Sequence, residues 1–361
     1  MKPNYTLPTM TDVAKRKGTN GYTMVSTFSG CGGACLGFEY AGFDLRYANE
    51  FIPEAQTTYR ANHPDVHLDG RDIRTVTAQE ILDTIGLAKG ELDLFEGSPP
   101  CSPFSTAGKR DKGWGETKSY SDSKQRSDDL FFEYSRLLND LQPKTFTAEN
   151  VSGLVKGTAI GYFREILREL RNCGYQVEAQ LLDASRLGVP QARQRLIFIG
   201  VRNDLAKQHG LKPVFPKPLP YTYTLEEVID VNNQQTHDPE TGQDITIDRY
   251  AIGNAWDRTP IGQNSTKYFN LGKPALNKPA PTITATAGVL GAASIVHPTQ
   301  KRKLTLPELR QLSSFPTDFK LTGTYTQRVE RIGRSVPPLL GYAIATTIRD
   351  EILAKIPNDL Q

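Results

Sequence analysis

The sequence predicts an α/β protein, a doubly wound and mostly parallel sheet wrapped by helices, with a smaller loop-rich part joined to it. Three observations point there. An apolar, β-branched run from Tyr22 to Phe28 leads straight into Ser29-Gly30-Cys31-Gly32-Gly33 and then into a helical pattern ending near Gly42, so that strand, glycine turn and helix follow one another. The same alternation of short apolar runs and amphipathic stretches continues to Val201, as expected of parallel strands joined by crossover helices. Beyond Asn203 it stops: residues 203 to 300 are rich in Pro, Thr, Asn and Gln with little helical periodicity, which marks a separate module.

Taken in order, a second strand is expected over Leu45 to Ala48, ending at Asn49-Glu50, and a third segment approaches Asp72 after a turn at Gly70. Leu92 to Glu96 reads as a strand running into Gly97-Ser98-Pro99-Pro100-Cys101-Ser102-Pro103-Phe104-Ser105. Residues 107 to 129 are dominated by Gly, Ser, Lys, Arg and Asp and read as a mobile surface loop, with a plain solvated linker as the alternative. An amphipathic helix is expected from Leu130 to Leu141 and a strand over Lys144 to Ala148, ending at Glu149-Asn150-Val151. A helix near Tyr162 to Arg171 then precedes strands Gln176 to Leu182 and Arg195 to Val201, joined by a turn holding Pro190. Order returns over Lys303 to Phe319, and a last helix is primed by Pro337-Pro338, with Leu340, Ile344, Ile348 and Ile352 on one face. The expected division is a larger domain of residues 1–202 and 325–361 and a smaller one of 203–324.

A chain of 361 residues can bury a substantial core without staples. Its 43 Lys and Arg against 40 Asp and Glu leave only +3, so composition is silent about nucleic acid, and any such surface must come from local clustering. Four cysteines, Cys31, Cys35, Cys101 and Cys173, are too few for a disulfide framework and lack the paired spacing of a structural zinc site, which points to a reducing compartment and no metal. Residues 1 to 22 have no apolar run resembling a signal peptide, and no stretch is long and apolar enough to span a bilayer, so a soluble, cytoplasmic protein is expected.

Two turns carry the candidate chemistry. Glycine lets backbone approach a ligand closely, and Gly30, Gly32 and Gly33 supply such a turn after the first strand. Glu50, about 20 residues on at the end of the second strand, can take both hydroxyls of a ribose. The pairing favours an adenosine-containing ligand, although a glycine turn serving fold geometry alone is the alternative. Cys35 stands where a dinucleotide fingerprint needs Gly or Ala, and no phosphate-binding Lys is near, so nicotinamide and a P-loop both lose ground. At the second turn, Pro99-Pro100-Cys101 places a thiol just after a strand on backbone stiffened by two fixed φ angles, where α/β proteins bind ligands. A buried structural cysteine would not account for the polar Gly97-Ser98 before it or Ser105 after it.

Phe28-Ser29-Gly30-Cys31-Gly32-Gly33, Pro99-Pro100-Cys101, Glu149-Asn150-Val151, Gln191-Ala192-Arg193-Gln194-Arg195 and Gly333-Arg334-Ser335-Val336-Pro337-Pro338 together resemble, in order, the motif series of the DNA cytosine-5 methyltransferases. The resemblance covers nearly the whole chain except residues 203 to 300. It implies a Rossmann-like sheet of the adenosylmethionine-dependent methyltransferase type and a smaller, loop-rich target-recognition domain. S-adenosyl-L-methionine is the implied cofactor, and double-stranded DNA, from which the target base is flipped, the implied partner. A monomer, associated with the nucleoid of a prokaryotic or phage-infected cell, and a cognate restriction enzyme are further implications.

Elementary chemistry agrees with these implications. Neutral cytosine is a poor nucleophile at C5, so a thiolate must first add to C6 while positive character at N3 is stabilised. The resemblance gives the first task to Cys101 and the second to Glu149, which needs a carboxyl able to hold a proton. Arg195, with Arg193, would bind O2 and nearby phosphate as charge-assisted donors. Phe28 would stack on adenine, Glu50 hold the ribose and Asp72 accept from the adenine amino group, with Gly30, Gly32, Gly33, Pro99 and Ser335 lining the cofactor. Ser105, Lys109 and Arg110, with Lys112, Lys124 and Arg126 of the same loop, would meet DNA, as would Gln191 and Thr282 of Pro281-Thr282-Ile283-Thr284. Lys301-Arg302-Lys303 is expected to contact phosphate rather than read bases.

Two positions depart from the family pattern. Ser102 stands where Gln is usual, and Arg334 where Asn usually follows Gly. A fixed cation beside the donor suggests pairing with a carboxylate on the transferred group, with carboxy-S-adenosyl-L-methionine as donor and 5-carboxymethylcytosine as product. The competing reading turns Arg334 to a DNA phosphate or to Glu330 and leaves an ordinary methylase. An RNA cytosine-5 methyltransferase would share the catalytic motifs, but no Cys-Phe-Thr signature occurs in residues 203 to 300. A non-catalytic DNA-binding protein would be expected to lose Cys101 or Glu149, and both are present. A dehydrogenase on a dinucleotide fold is the most distant rival.

Overall fold

The computed structural model describes residues 2–100, 130–156 and 159–357, with the backbone of 118–120 and 123–125. It divides into two compact units: Met1–Val13, Asp183–Arg193 and Lys217–Leu340 form the smaller, and Ala14–Leu182, Gln194–Pro216 and Gly341–Gln361 the larger. The residues 1–13, 183–193 and 325–340, expected with the larger domain, thus group with the loop-rich one, while 203–216 group with the sheet.

A short helix α1 (Met10–Arg16) comes first. In the larger unit, β1 (Thr23–Thr27), α2 (Gly33–Tyr40), β2 (Asp44–Asn49), α3 (Pro53–Asn62), β3 (His67–Asp69), α4 (Ala78–Ile85) and β4 (Leu94–Gly97) follow in alternation. Strands β5 (Lys118–Tyr120) and β6 (Ser123–Gln125) pair antiparallel, within a segment whose sequence suggested only loop. Then come α5 (Leu130–Leu141), β7 (Thr145–Val151), α6 (Ile160–Asn172), β8 (Tyr175–Asp183), β10 (Gln194–Arg202) and α7 (Asn203–His209), while β9 (Gln191–Ala192), between β8 and β10 in the chain, belongs to the smaller unit. Seven of these strands form one sheet in the order β3-β2-β1-β4-β7-β10-β8.

The central strands read as continuous apolar runs because both faces are covered: Met24 and Val25 in β1, and Leu94 and Phe95 in β4, are fully buried. Val25, Phe95, Phe146 and Phe198 join Ile81 and Leu82 of α4, Leu137, Leu138 and Leu141 of α5, and Ile166 and Leu170 of α6 in one core. Thr77 and Glu80 close a capping box on α4, and Gly86 ends that helix in the left-handed conformation. The last helix, α11 (Pro338–Glu351), has the expected apolar stripe inside, Leu340, Ile344 and Ile348 being at most 3% exposed. It approaches α2 so closely that a Cβ on Gly341 would lie 3.0 Å from the Ala34 carbonyl.

β10 runs antiparallel to β7, with Arg195 opposite Val151 and Ile197 opposite Glu149. Its amino-terminal end therefore lies at the same sheet edge as the carboxyl ends of β1, β4 and β7.

The smaller unit carries α8 (Ala251–Asp257), β11 (Ala280–Pro281), α9 (Leu306–Leu312) and α10 (Tyr325–Arg334). One apolar cluster gathers Ile247, Ile252, Ala255, Leu271 and Val296. Where regular structure is sparse, buried backbone groups need side-chain partners. Asp238, fully buried, accepts from the backbone nitrogens of Thr241 at 3.0 Å and Leu306 at 2.8 Å. The same demand corrects the expectation for Lys301-Arg302-Lys303. Arg302 is 1% exposed and forks onto Glu308 at 2.9 and 2.8 Å. Lys303, fully buried, donates to the Ala292 carbonyl at 2.7 Å and Ser294 Oγ at 2.6 Å. Lys301 lies on Asp257 at 2.7 Å and Asp248 at 3.2 Å. Two of the three cations hold the module together from inside, where DNA phosphate does not reach. Among the described residues no helix is long and apolar enough to cross a membrane.

Candidate active site

Strand order reverses at β1, which has β2 on one side and β4 on the other. At such a switch point the loops leaving the carboxyl ends diverge and leave room for a ligand. The turn after β1 is held in rarely used backbone: Phe28 has φ 55°, Gly30 57° and Gly32 91°. For Phe28 the left-handed region costs about 1–2 kcal/mol, which neighbouring contacts must offset. Gly32 is required sterically as well, since a Cβ there would lie 2.3 Å from His63 Nε2. That ring is 3% exposed, stacks on Tyr59, and places Nδ1 2.8 Å from Glu39 Oε2. Burial opposes charge on Glu39, but His63 and Lys17 hold its carboxyl below the usual range.

Among the described residues nothing lies within 4 Å of where a Cβ on Gly30 would stand. Beside it Glu50, 7% exposed, accepts from Gly30 N and Ile52 N, both at 2.7 Å. These two bonds pin the carboxylate at the turn, and a carboxylate's acceptor capacity extends to about four. An adenosine-type ligand fits this arrangement: backbone it can approach closely, and a fixed acid for hydroxyl donors. At the end of β3, Asp72 caps the single 3₁₀ turn Ile73–Thr75, accepting from Arg74 N at 3.1 Å and pairing with Arg74 Nη1 at 3.0 Å. Nearby Asp69 is buried, yet hydrogen bonds from the Arg71 side chain and backbone bring its carboxyl down to about 2.

Strand β4 delivers the Pro99-Pro100 turn, and Asn150, 2% exposed, donates from Nδ2 to the Pro99 carbonyl at 3.4 Å. Next to Asn150, Glu149 meets Arg195 across the β7–β10 pair, Arg195 Nε lying 2.5 Å from Glu149 Oε1. The two positions are diagonal neighbours on one face, and their side chains are only 16% and 14% exposed. Cys101, Ser105, Lys109 and Arg110 lie outside the described residues.

The smaller unit holds the remaining expected site residues, and two of them depart from expectation. Arg193 is 2% exposed and donates to the carbonyls of Ile283 at 3.1 Å, Gly333 at 3.0 Å and Ser335 at 2.9 Å. Its fork ties Ile283 to the Gly333-to-Ser335 segment within the smaller unit. Gln191, expected at DNA, is 1% exposed: its Nε2 donates to the Leu312 carbonyl at 3.3 Å and its Oε1 accepts from Ile283 N at 3.1 Å. A planar amide with donors and acceptor satisfies two other segments of chain at once, which explains its burial. Thr282 donates to the Ala192 carbonyl at 2.8 Å, and Ser335 Oγ to the Arg331 carbonyl at 3.0 Å. Arg334 Nε donates to Glu330 Oε1 at 2.8 Å, one helical turn away.

Two polar side chains at this sheet edge escaped the sequence analysis. Asn150 was noticed only as part of its motif, and Glu96 as the end of a strand. The signal for Glu96 was available: an acid directly after Leu94-Phe95, in a strand otherwise built for burial. It is 4% exposed and accepts from Ser26 Oγ at 2.6 Å.

Residues 22–350 match the family model for the C-5 cytosine-specific DNA methylases. The chain is 31% identical over 353 residues to the type II methyltransferase M.NgoPII of Neisseria gonorrhoeae, covering 91% of this chain and 96% of that protein. To M1.HphI of Haemophilus parahaemolyticus, also a type II methyltransferase, it is 30% identical, covering 90% and 86%. The fold is similar to that of a DNA modification methyltransferase encoded within an Escherichia coli prophage, at a TM-score of 0.71 and 20% identity, covering 92% and 99% of the two chains. It is also similar to S. pombe Dnmt2 methyltransferase, at a TM-score of 0.61 and 18% identity, covering 91% and 98%. With motif order, sheet topology and nearly full-length similarity in agreement, the chain belongs to the C-5 cytosine-specific DNA methylase family.

Proposed function

We propose that this protein transfers a methyl group to C5 of a cytosine flipped out of double-stranded DNA, through a covalent bond between Cys101 and C6. The observation that carries the proposal is the juxtaposition of Glu149 with Arg195 at 2.5 Å, directly beside an asparagine that holds the Pro99-Pro100 turn. A carboxyl and a guanidinium fixed together suit the N3 and O2 edge of a cytosine, and Cys101 follows Pro100 directly in the sequence.

The Cys101 thiolate adds to C6, and the C5–C6 electron pair moves to C5 while Glu149 delivers a proton to N3. Arg195 donates to O2, favouring the electron-rich ring. S-adenosyl-L-methionine, held by Phe28, Gly30, Glu50 and Asp72, supplies the electrophilic methyl when bound. Loss of the C5 proton to a base then re-forms the C5–C6 double bond and expels the thiolate, and N3 returns its proton to Glu149. Because C6 is shielded within a stacked duplex, the base must be extruded first, and we assign residues 107–129, with Lys109 and Arg110, to closing over it and Ser105 to contacting the DNA. Recognition of the DNA sequence is assigned to the loop-rich unit, and a cognate restriction enzyme is inferred from the type II relatives. The Arg334–Glu330 pair favours a plain methyl donor over carboxy-S-adenosyl-L-methionine.

Duplex DNA carrying 5-fluorocytosine at the target site, with cofactor, tests the scheme. We expect a denaturation-resistant adduct through Cys101, absent in Cys101→Ala. No adduct on DNA alongside methylation of transfer RNA would move the assignment to the RNA enzymes. Nucleosides from an expressing cell should show 5-methylcytosine, and 5-carboxymethylcytosine would overturn the donor assignment.

A further inference from the structure

A line of hydroxyls and one carboxyl runs under the sheet edge, joining the turn after β1 to the turn after β4. Ser29 Oγ and Ser26 Oγ are 2.8 Å apart, Ser26 Oγ is 2.6 Å from Glu96 Oε2, and Ser98 Oγ is 3.5 Å from Glu96 Oε1. Ser26 and Glu96 face each other across the β1–β4 pair, and both are almost fully buried. Ser29 belongs to the turn that holds Gly30 and Gly32; Ser98 lies three residues before Cys101 in the sequence. We propose that Glu96 is a positioning residue, linking the cofactor turn to the nucleophile turn, and that its proton sets the direction of the hydrogen bonds between them.

Counting protons shows why the direction matters. Ser26 has one hydroxyl proton. With Glu96 ionised, Ser26 donates to it and Ser29 donates to Ser26, while Ser98 donates from the other side. With Glu96 protonated, the carboxyl can donate to Ser26, which then donates to Ser29, so one proton reverses the bonds and leaves the Ser98 side with a weaker acceptor. Burial first, then the neighbouring Glu149 carboxylate, push Glu96 up to about 7, against the bonds from Ser26 and Ser98. Among the described residues, the other titratable groups that sense it are Cys35 of α2, Tyr59 of α3 and Tyr134 of α5. The first is a thiol driven upward by burial, the other two phenols likewise, so none of the three competes for the proton near neutrality.

The inference rests on the proposed role of Cys101, and trapping of the fluorinated duplex by the wild-type protein checks that role separately. Glu96→Gln keeps an acceptor and a donor in place, while Glu96→Leu removes both in similar volume. We expect Glu96→Gln to retain kcat within about threefold but to lose the change in kcat near neutral pH over about pH 5.5 to 8.5. Glu96→Leu should lower kcat at least about tenfold, as small misplacements of a reacting group do, with KM for DNA nearly unchanged. Ser98→Ala should reproduce part of the Leu effect. Melting curves identify variants that fail to fold, and Glu96→Gln remains decisive if Leu does. Normal trapping by wild type together with Gln and Leu variants that match it in kcat and pH profile would overturn the positioning role alone. Failure of wild type to trap would remove the reading beneath it.

Discussion

Gly32→Ala is the substitution whose cost the structure specifies most directly. At φ 91° a residue with a Cβ is strained whatever the space around it. That strain is worth about 1–2 kcal/mol. The new methyl would also lie 2.3 Å from His63 Nε2 and 2.8 Å from Cδ2. The ring cannot simply swing aside, being 3% exposed, stacked on Tyr59 at 4.5 Å and held by Glu39 at 2.8 Å. Forcing a methyl into such packing adds about 1–3 kcal/mol. The sum, about 2–5 kcal/mol, should lower the melting temperature by roughly 5–15 °C for a unit of this size. Because strain falls on the turn proposed to hold the cofactor, the increment in Tm on adding S-adenosylmethionine should shrink too. Thermal unfolding with and without cofactor measures both effects. The double variant with His63→Ala, in a cycle with the two single variants, should recover the steric part and leave the backbone part. A Gly32→Ala protein melting within about 2 °C of wild type, with the same cofactor increment, would refute the reasoning.

Three further outcomes are expected. Glu149→Gln removes the proposed proton donor and half of a mostly buried ion pair, so kcat should fall by about 10²–10⁴ while stability falls by only about 1–3 kcal/mol, measured by methyl transfer and denaturant titration; activity within tenfold of wild type would show that Glu149 is not the acid. Arg193→Lys cannot reproduce a fork reaching three carbonyls, and should cost about 2–4 kcal/mol of stability with kcat little changed well below the melting temperature; a selective loss of kcat would return Arg193 to the substrate. Lys303 supplies a pH dependence: burial brings its ammonium from 10.5 down to about 7, so between those values the unfolded chain binds the proton that the folded chain refuses. Stability from this group therefore rises with pH across that window and is flat below it, and wild type should gain on Lys303→Met by about 2–4 kcal/mol between pH 7 and pH 10. A constant difference across that range would mean that the buried amine keeps its ordinary proton affinity.

The order of elements was legible because its signals are local. The Tyr22–Phe28 run, the glycine turn and the Leu130–Leu141 helix each declare themselves within a dozen residues, and the structure places β1 at Thr23–Thr27 and α5 at Leu130–Leu141. The pairing of Glu149 with Arg195 was not legible in the same way, since it depends on β10 running antiparallel to β7, and the two motifs lie some forty residues apart. Glu96 was missed because a single acid at a strand end ordinarily faces water, and only the pairing of β1 with β4 brings Ser26 to it.

By itself, then, the chain's amino-acid order dictated an alternating α/β scaffold and the motif residues that follow its first and fourth strands, because periodicity, turn chemistry and motif spacing act over short stretches. Tertiary structure alone decided which cations face inward. Arg193, Arg302 and Lys303 look like surface donors in the sequence, yet each serves carbonyls or an acid that other parts of its unit leave needing a donor. Whether a long cationic side chain meets water or an internal carbonyl depends on what distant segments fail to satisfy, and no local pattern encodes that.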